Sequence, residues 1–440
     1  MRAVLSLAAF VASALILVSH PSDAIEIQRI EAHGIEAWLV EDHANPIIAV
    51  RIGFRGAGAV SDPRDKAGLA NMVSGLLDEG AGDLDSQAFQ GRLDELAIRF
   101  GFDANLDDFG GSFQTQTEHR DAAFELFRLA LTRPRFDPEP LGRIRAQVEA
   151  GLRRDEKDPE TVASRRLFAT LFPDHPYGRP VEGTLASLPR IDRDDLQRFV
   201  SERLARDNLV IGVVGDITPA QLAPLLATTF DGLPVKAVLE TAADVAVQGH
   251  GTTVIDMNVP QSAIAFAQPG LKRDDPRFYT LTVLDQILGG RGLSSRLFDE
   301  VREKRGLVYS VYTALVPLDH AALVIGGAGT ANARVAETVE VVRNEWTRVG
   351  QTGVTPEELA DSKTYLTGSY PLRFAGSGRL AGLLVAIQLD SLGIDYPNHR
   401  NALIEDVSLE AVNRMASELL HPAQLSFVVV GQPKGLAPAP

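Results

Sequence analysis

The stretch Leu209-Val-Ile-Gly-Val-Val-Gly215 returns 216 residues later as Leu425-Ser-Phe-Val-Val-Val-Gly431. Each copy is a short run of apolar residues that stops at a glycine, a pattern typical of a buried strand. At the same offset Arg198 matches Arg414, within a segment whose periodicity predicts an amphipathic helix ahead of the strand. Two copies are too few for a solenoid, so the repeat indicates two homologous halves of one chain.

The starts of the two halves agree as well. Predicted strand pairs occupy 35–40 and 47–54 in the first half, and 253–257 and 263–267 in the second. Long helical segments alternate with the strands, which predicts an α+β fold of two homologous domains, each a mixed β-sheet with helices packed on one face. The predicted boundaries are a signal peptide at 1–24, a first domain at 25–236, a linker at 237–251 and a second domain at 252–435.

The composition restricts the chemistry that the chain can perform. Its 440 residues include no cysteine, which excludes disulfides, thiolate metal ligands and a cysteine nucleophile. A metal site would therefore have to use His, Asp and Glu side chains. The formal net charge of -15 argues against nucleic acid or an anionic membrane surface as the main partner, because both bind clustered Lys and Arg.

The N-terminus has the pattern of a secretory signal peptide. Arg2 precedes an apolar run at 3–18, and Ser22-Asp23-Ala24 offers small residues at both positions that a signal peptidase reads. The run falls short of the ~20 residues that a spanning helix needs, which disfavours the alternative of an uncleaved anchor. We therefore expect cleavage after Ala24 and a periplasmic protein with no membrane span.

The segment 66–79 predicts an amphipathic helix with two distinct faces. Its apolar stripe consists of Leu69, Met72, Val73, Leu76 and Leu77. On another face, Asn71, Ser74 and Gly75 share the i, i+3, i+4 spacing with which a helix presents two zinc ligands and a general base. An amide, a hydroxyl and a glycine do not form a zinc site.

Three stretches resemble the M16 metallopeptidases, the insulinase or mitochondrial-processing-peptidase-like family. They are 66–78 of the helix above, Phe172-Pro-Asp-His-Pro-Tyr-Gly-Arg-Pro-Val-Glu-Gly-Thr184, and Ser294-Ser-Arg-Leu-Phe-Asp-Glu-Val-Arg-Glu-Lys-Arg-Gly-Leu-Val-Tyr-Ser310. The resemblance covers nearly all of the mature chain and includes the duplication. It implies two LuxS/MPP-like domains.

Active members of this family carry His-x-x-Glu-His on the first helix and a glutamate on a later one. The resemblance places the two histidines at Asn71 and Gly75. It places the base at Ser74 and the later glutamate near Gly151. It therefore implies a degenerate metal site, with no metal or cofactor bound by this chain. No two of the nine histidines are three to five residues apart, which disfavours a relocated metal site, and His175 is interpreted as a structural turn residue.

A second candidate site lies in the other half of the chain. Arg302 and Tyr309 flank a predicted helix end, with Gly306 as the helix stop before a strand at 307–312. Alternation along this strand predicts that Tyr309 shares a face with Val311 and projects toward a cleft. A guanidinium and a phenol that converge are donors suited to a peptide carbonyl and its oxyanion. The alternative is structural: an arginine paired with a neighbouring acid, and a tyrosine in the core.

In two-subunit members of the M16 family, the subunit without the zinc motif supplies an Arg/Tyr pair at this position to its partner. The resemblance therefore implies that Arg302 and Tyr309 act in trans, in carbonyl and oxyanion binding. Nearby, Gly289, Gly290 and Gly292 form either a substrate-binding loop or the end of the preceding helix, and both interpretations remain open.

The leading hypothesis is a non-catalytic subunit of a periplasmic M16-type zinc peptidase. It would bind an extended peptide and form a heterodimer with a His-x-x-Glu-His subunit that holds the zinc. The chain alone would then be inactive. The alternative is an inert pseudo-peptidase that binds peptides or has a structural role, and a third, less favoured hypothesis is an independent peptidase with an unusual metal site.

Overall fold

The computed structural model describes residues 25–240, 242–249, 251–290 and 294–436, so the predicted signal peptide and Gly292 lie outside the described residues. The strands are β1 (Gln28–Ala32), β2 (Ile35–Glu41), β3 (Ile47–Arg55), β4 (Arg99–Ala104), β5 (Asp108–Gln116), β6 (Leu209–Gly215), β7 (Gly251–Asp256), β8 (Gln261–Pro269), β9 (Val308–Pro317), β10 (Ala322–Ala331) and β11 (Ser426–Gly431). The helices are α1 (Leu69–Ser74), α2 (Ser86–Glu95), α3 (Arg120–Thr132), α4 (Pro138–Asp155), α5 (Pro159–Leu171), α6 (Arg193–Arg203), α7 (Pro219–Phe230), α8 (Phe278–Leu288), α9 (Val335–Thr352), α10 (Pro356–Gly368), α11 (Ser377–Leu389), α12 (Tyr396–Glu405) and α13 (Leu409–Leu419). In these parts of the chain, no helix combines the length and the apolar character that crossing a bilayer requires.

The two halves contain sheets of the same topology. The first sheet has the order β1-β2-β6-β3-β5-β4 and the second has the order β7-β11-β8-β10-β9. Apart from the additional strand β1, the strands correspond one to one. In each sheet the last strand of the half pairs parallel with an early strand, β6 with β2 and β11 with β7, and antiparallel with β3 or β8. The shared order confirms the predicted α+β fold with two homologous domains.

The repeated strand ends at a glycine because the backbone leaves no room for a side chain there. Gly215 and Gly431 have φ angles of +140° and +150°. A Cβ atom on Gly215 would overlap the carbonyl oxygen of Ile47, and one on Gly431 would overlap the side chain of Ser262. The glycine that marks the repeat in the sequence is thus required by the neighbouring strand in both halves.

Helices of each half cover one face of its own sheet, and the other face receives a helix from the opposite half. Helix α5 packs across β8 and β11 of the second sheet, and α11 packs across β3 and β6 of the first. Leu167 of α5 belongs to a buried cluster with Val428, and Leu384 of α11 belongs to one with Val214. This exchange of helices gives the two halves shared cores.

The Asp-His-Pro-Tyr stretch forms part of the junction between the halves. The buried Tyr177 hydroxyl donates to the carboxylate of Asp107 in the first half and accepts from the backbone N–H of His320 in the second, at 3.0 Å. Nδ1 of His175 accepts from the backbone N–H of Tyr177 at 3.2 Å, and its Nε2 lies 3.2 Å from the carbonyl oxygen of Ala243. His175 therefore shapes a turn, as interpreted from the sequence.

Candidate functional site

Helix α1 is shorter than the sequence predicts. It spans Leu69–Ser74 rather than 66–79, although the predicted apolar stripe is fully buried. Gly68, with φ +96°, precedes it. At its end the Ser74 hydroxyl and the Gly75 N–H both donate to the carbonyl of Asn71, at 2.9 and 3.2 Å. The chain continues in turns because this local hydrogen bonding competes with a regular helix.

The residues at the predicted metal positions do not fit a zinc ion. Asn71 and Ser74 are half-buried, and the Ser74 hydroxyl is occupied by the Asn71 carbonyl. Gly75 has no side chain, and the Cγ2 atom of Ile144 lies 3.1 Å from the place where its Cβ would be. Gly151 lies on the same helix as Ile144, α4, and likewise offers no ligand atom. Within the described ranges, no three His, Asp or Glu side chains group closely enough to hold a metal ion.

Arg302 lies on a segment of π-helix, Phe298–Glu303. Such segments are rare and are frequent at functional sites. The Arg302 guanidinium carbon lies 4.8 Å from the centroid of the Phe298 ring and 5.1 Å from that of the Tyr309 ring. Its Nε lies 3.8 Å from the Glu303 carboxylate, a long distance for an ion pair. The structure thus brings the two predicted site residues together and places the arginine in contact distance of two aromatic rings.

Gly306 ends this helical segment in a left-handed conformation, with φ +58°. Its N–H donates to the carbonyl of Arg302 at 2.8 Å, and the N–H of Leu307 donates to the carbonyl of Val301 at 2.9 Å. The structure confirms the predicted helix stop. The backbone of Arg302 is therefore held by the turn that leads into β9.

A β-bulge in the edge strand β9 sets the direction of Tyr309. The register between β9 and β10 shifts between Ala328 and Thr330. As a result, Tyr309 and Ser310 together oppose the single residue Gly329. A bulge inserts one extra residue into a strand and redirects the side chains beside it, and bulges are over-represented next to active sites.

The bulge overturns the predicted alternation along this strand. Val308 and Val311 are both buried in the core of the second half, whereas Tyr309 is 84% exposed. Tyr309 therefore does not share a face with Val311, because the additional residue displaces it to the outer face. The structural alternative of a core tyrosine is also wrong.

A buried carboxylate anchors the helical segment that carries Arg302. Glu300 forms ion pairs with Lys304 at 2.8 Å, Arg305 at 2.5 Å and Arg348 of α9 at 3.6 Å. Sequence reasoning missed this group, although the spacing of Glu300 and Lys304 is the i, i+4 pattern of a helical ion pair. These pairs fix the π-helical segment against the rest of the second half.

We expect the Glu300 ion pairs to make the free energy of unfolding depend on pH in the acidic range. Hydrogen bonds from Lys304 and Arg305 lower the pKa of Glu300 to about 2. Because this pKa lies below the unfolded value of about 4.3, the stabilisation is complete above that pH and is lost as the pH falls toward 2. Glu300→Gln should lower the free energy of unfolding at pH 7 by about 1–2 kcal/mol, a value reduced from the full shift because both cations are solvent-exposed. Urea unfolding at pH 7 and near pH 2 checks this, and an equal difference between the proteins at both pH values would contradict it.

The predicted glycine loop begins at the end of α8. The N–H groups of Gly289 and Gly290 both donate to the carbonyl of Asp285, at 3.0 and 2.8 Å, and both glycines are buried. The Gly289 carbonyl accepts from the N–H of Thr313 on β9 at 2.7 Å, and a Cβ on Gly289 would crowd the Thr313 side chain. These contacts account for the first two glycines as a helix end, and their role in substrate binding stays a prediction.

The fold and the site together describe a duplicated α+β unit of peptidase type. One half has no ligand side chains at the predicted metal positions, and the other half presents an exposed tyrosine against a half-buried arginine. Residues 190–366 match the family described as Peptidase M16 inactive domain. A solved structure of a peptidase M16 inactive domain from Pseudomonas fluorescens has a TM-score of 0.87 at 28% identity, over 94% of this chain and 99% of that one.

Two relatives extend the comparison. The chain is 25% identical over 415 residues to a Helicobacter pylori protein named non-peptidase homolog YmxG. The matched region covers 94% of this chain and 95% of that protein. It is 32% identical over 275 residues to an uncharacterized zinc protease of Mycobacterium tuberculosis, over 60% of this chain and 61% of that one. The comparisons confirm the resemblance to the M16 peptidases that the three sequence stretches predicted.

Proposed function

We propose that this chain is the non-catalytic subunit of a periplasmic M16-type zinc peptidase, and that it supplies Arg302 and Tyr309 to the active site of a zinc-bearing partner. One observation carries the proposal. The Arg302 guanidinium carbon lies 5.1 Å from the ring centroid of an 84% exposed tyrosine, on irregular backbone, in a chain whose predicted zinc positions offer no suitable side chain. The tyrosine is accessible to a peptide and to a second subunit, and the Arg302 side chain beside it is half-buried.

The pair suits the recognition of a peptide carbonyl. A phenol and a guanidinium both donate hydrogen bonds, and the guanidinium presents several N–H donors in a fixed geometry. As water adds to the carbonyl carbon, negative charge develops on the oxygen, and donors already in place stabilise it. The zinc of the partner would activate that water. The Phe298 ring and the β9 bulge hold the two donors before substrate arrives, so little reorganisation is needed.

The relatives and the N-terminal pattern supply further support. The Helicobacter pylori relative is named a non-peptidase homologue, and the mycobacterial relative is named a zinc protease. Proteins named as non-peptidases and proteins named as zinc proteases therefore both resemble this chain. This favours the pairing of a subunit that lacks zinc ligands with one that binds zinc. The periplasmic location rests on the signal-peptide pattern at 1–24.

Reconstitution tests the proposal. We expect the purified mature chain to hold no stoichiometric zinc and to cleave no unfolded peptide. Mixed with a secreted His-x-x-Glu-His subunit from the same organism, it should form a complex whose turnover exceeds that of either chain alone. If the partner is equally active without this chain, the inert pseudo-peptidase is favoured. If this chain binds zinc and cleaves peptide by itself, the proposal is wrong.

A further inference from the structure

A cavity of about 140 Å³ lies beside the bulge of β9, between helix α5 of the first half and the sheet of the second. Polar and apolar atoms both line it, and most of the side chains around it are apolar, among them Leu167, Phe168, Ala265 and Ile325. Ser310 of β9, the residue directly after Tyr309, forms part of its lining. The cavity is therefore lined by the chain neighbour of Tyr309.

The cavity is open because glycine opposes the bulge. A Cβ atom built on Gly329 would meet no atom within 4 Å, whereas one on Gly327 would lie 3.0 Å from the Tyr312 ring. Gly329 lies opposite Tyr309 and Ser310 and lines the cavity. The space that a side chain at this position would fill is thus left free beside Tyr309.

We propose that this cavity receives one apolar side chain, of the size of Leu or Phe, from the peptide whose carbonyl Arg302 and Tyr309 hold; the inference rests on the proposed function. An apolar cavity of about 150 Å³ accepts a benzene molecule, so this volume suits a single branched or aromatic side chain. Neighbouring residues of an extended peptide are about 3.3 Å apart. Ser310 and Gly329, which lie beside Tyr309, both line the cavity, so we infer that a residue next to the held carbonyl reaches it. The Glu160 carboxylate at its lining disfavours an acidic side chain.

Binding of short peptides to the purified full chain tests this without a partner subunit. The probes are dye-labelled nine-residue peptides of Ala, Gly and Ser that carry Phe, Leu, Ala or Asp at the central position, followed by fluorescence anisotropy. We expect the Phe and Leu peptides to bind about tenfold or more tightly than the Ala and Asp peptides, as one buried apolar group discriminates. Gly329→Val should abolish this preference by filling the cavity, since valine suits a strand.

A matched control is Gly101→Val in β4, an edge strand of the first sheet, where a Cβ would lie 3.4 Å from the Ser112 hydroxyl. It should retain the preference for Phe and Leu. Ser164→Leu, which fills the cavity from the exposed side of α5, replaces Gly329→Val if that variant does not fold. The inference would be overturned if no peptide binds or if all four peptides bind equally. It would also be overturned if Gly329→Val and Ser164→Leu, the two variants that fill the cavity, retain the preference for Phe and Leu.

The two proposals fail in different ways. If the filling variants abolish the preference but no partner gains activity from this chain, the proposed function is wrong and the cavity inference holds. If turnover requires both chains while the preference is insensitive to Gly329→Val, the cavity inference is wrong and the proposed function holds.

Discussion

Replacing Tyr309 by Phe in the assembled two-subunit peptidase should lower kcat by about 10²–10³-fold and leave KM nearly unchanged. The substitution keeps the aromatic ring that packs on Arg302 and removes only the hydroxyl donor. A hydrogen bond that is stronger to the oxyanion than to the ground-state carbonyl contributes more to kcat than to substrate binding. Arg302→Ala should have an effect of similar size. Steady-state turnover of an unfolded peptide measures both.

Two exposed residues of the same half provide matched controls. Tyr365 lies on α10 and is 45% exposed, and Arg414 on α13 forms an ion pair with Glu410, one turn earlier on the same helix. Tyr365→Phe and Arg414→Ala should leave kcat unchanged. If Tyr309→Phe and Arg302→Ala also leave kcat unchanged in a complex that forms normally, catalysis in trans is excluded and the pair has a structural or binding role.

Asp62→Ala should lower the free energy of unfolding by about 3–5 kcal/mol, because it leaves a buried cation without its partner. The Asp62 side chain is 1% exposed and accepts a hydrogen bond from Arg203 at 2.9 Å. It also accepts from the backbone N–H groups of Gly68 and Ala70, each at 3.2 Å, and so holds the start of α1. Urea unfolding followed by circular dichroism gives the difference.

The control for this prediction is an ion pair on the surface. Arg92 and Glu95 are 45% and 65% exposed, so Arg92→Ala should change stability by about 0–1 kcal/mol. The double variant Asp62→Ala/Arg203→Met should recover much of the loss, since no unpaired charge remains. If Asp62→Ala lowers the free energy of unfolding by no more than Arg92→Ala does, Asp62 does not have the predicted role as the partner of a buried cation.

Local sequence patterns were sufficient to predict several strands and the buried face of α1. The strands at 35–40, 47–54, 253–257 and 263–267 correspond to β2, β3, β7 and β8, because short apolar runs bounded by turn residues form strands wherever they pack. The apolar stripe from Leu69 to Leu77 is buried as its spacing requires. The length of α1 was mispredicted because periodicity does not register the Ser74 hydroxyl bond to Asn71 that competes with the helix.

The sequence alone was sufficient for three features, because each depends only on residue type and spacing. They are the repeat at 209–215 and 425–431, the absence of zinc-binding side chains at Asn71, Ser74 and Gly75, and the short distance along the chain between Arg302 and Tyr309. The exchange of α5 and α11 between the halves, the outward direction of Tyr309 and the cavity beside it depend instead on contacts between distant segments. Alternation along β9 could not reveal the bulge, because the bulge exists only in the register of β9 against β10. The chemistry of the site is thus encoded locally, whereas its exposure and direction arise from the pairing of strands and the packing of one half on the other.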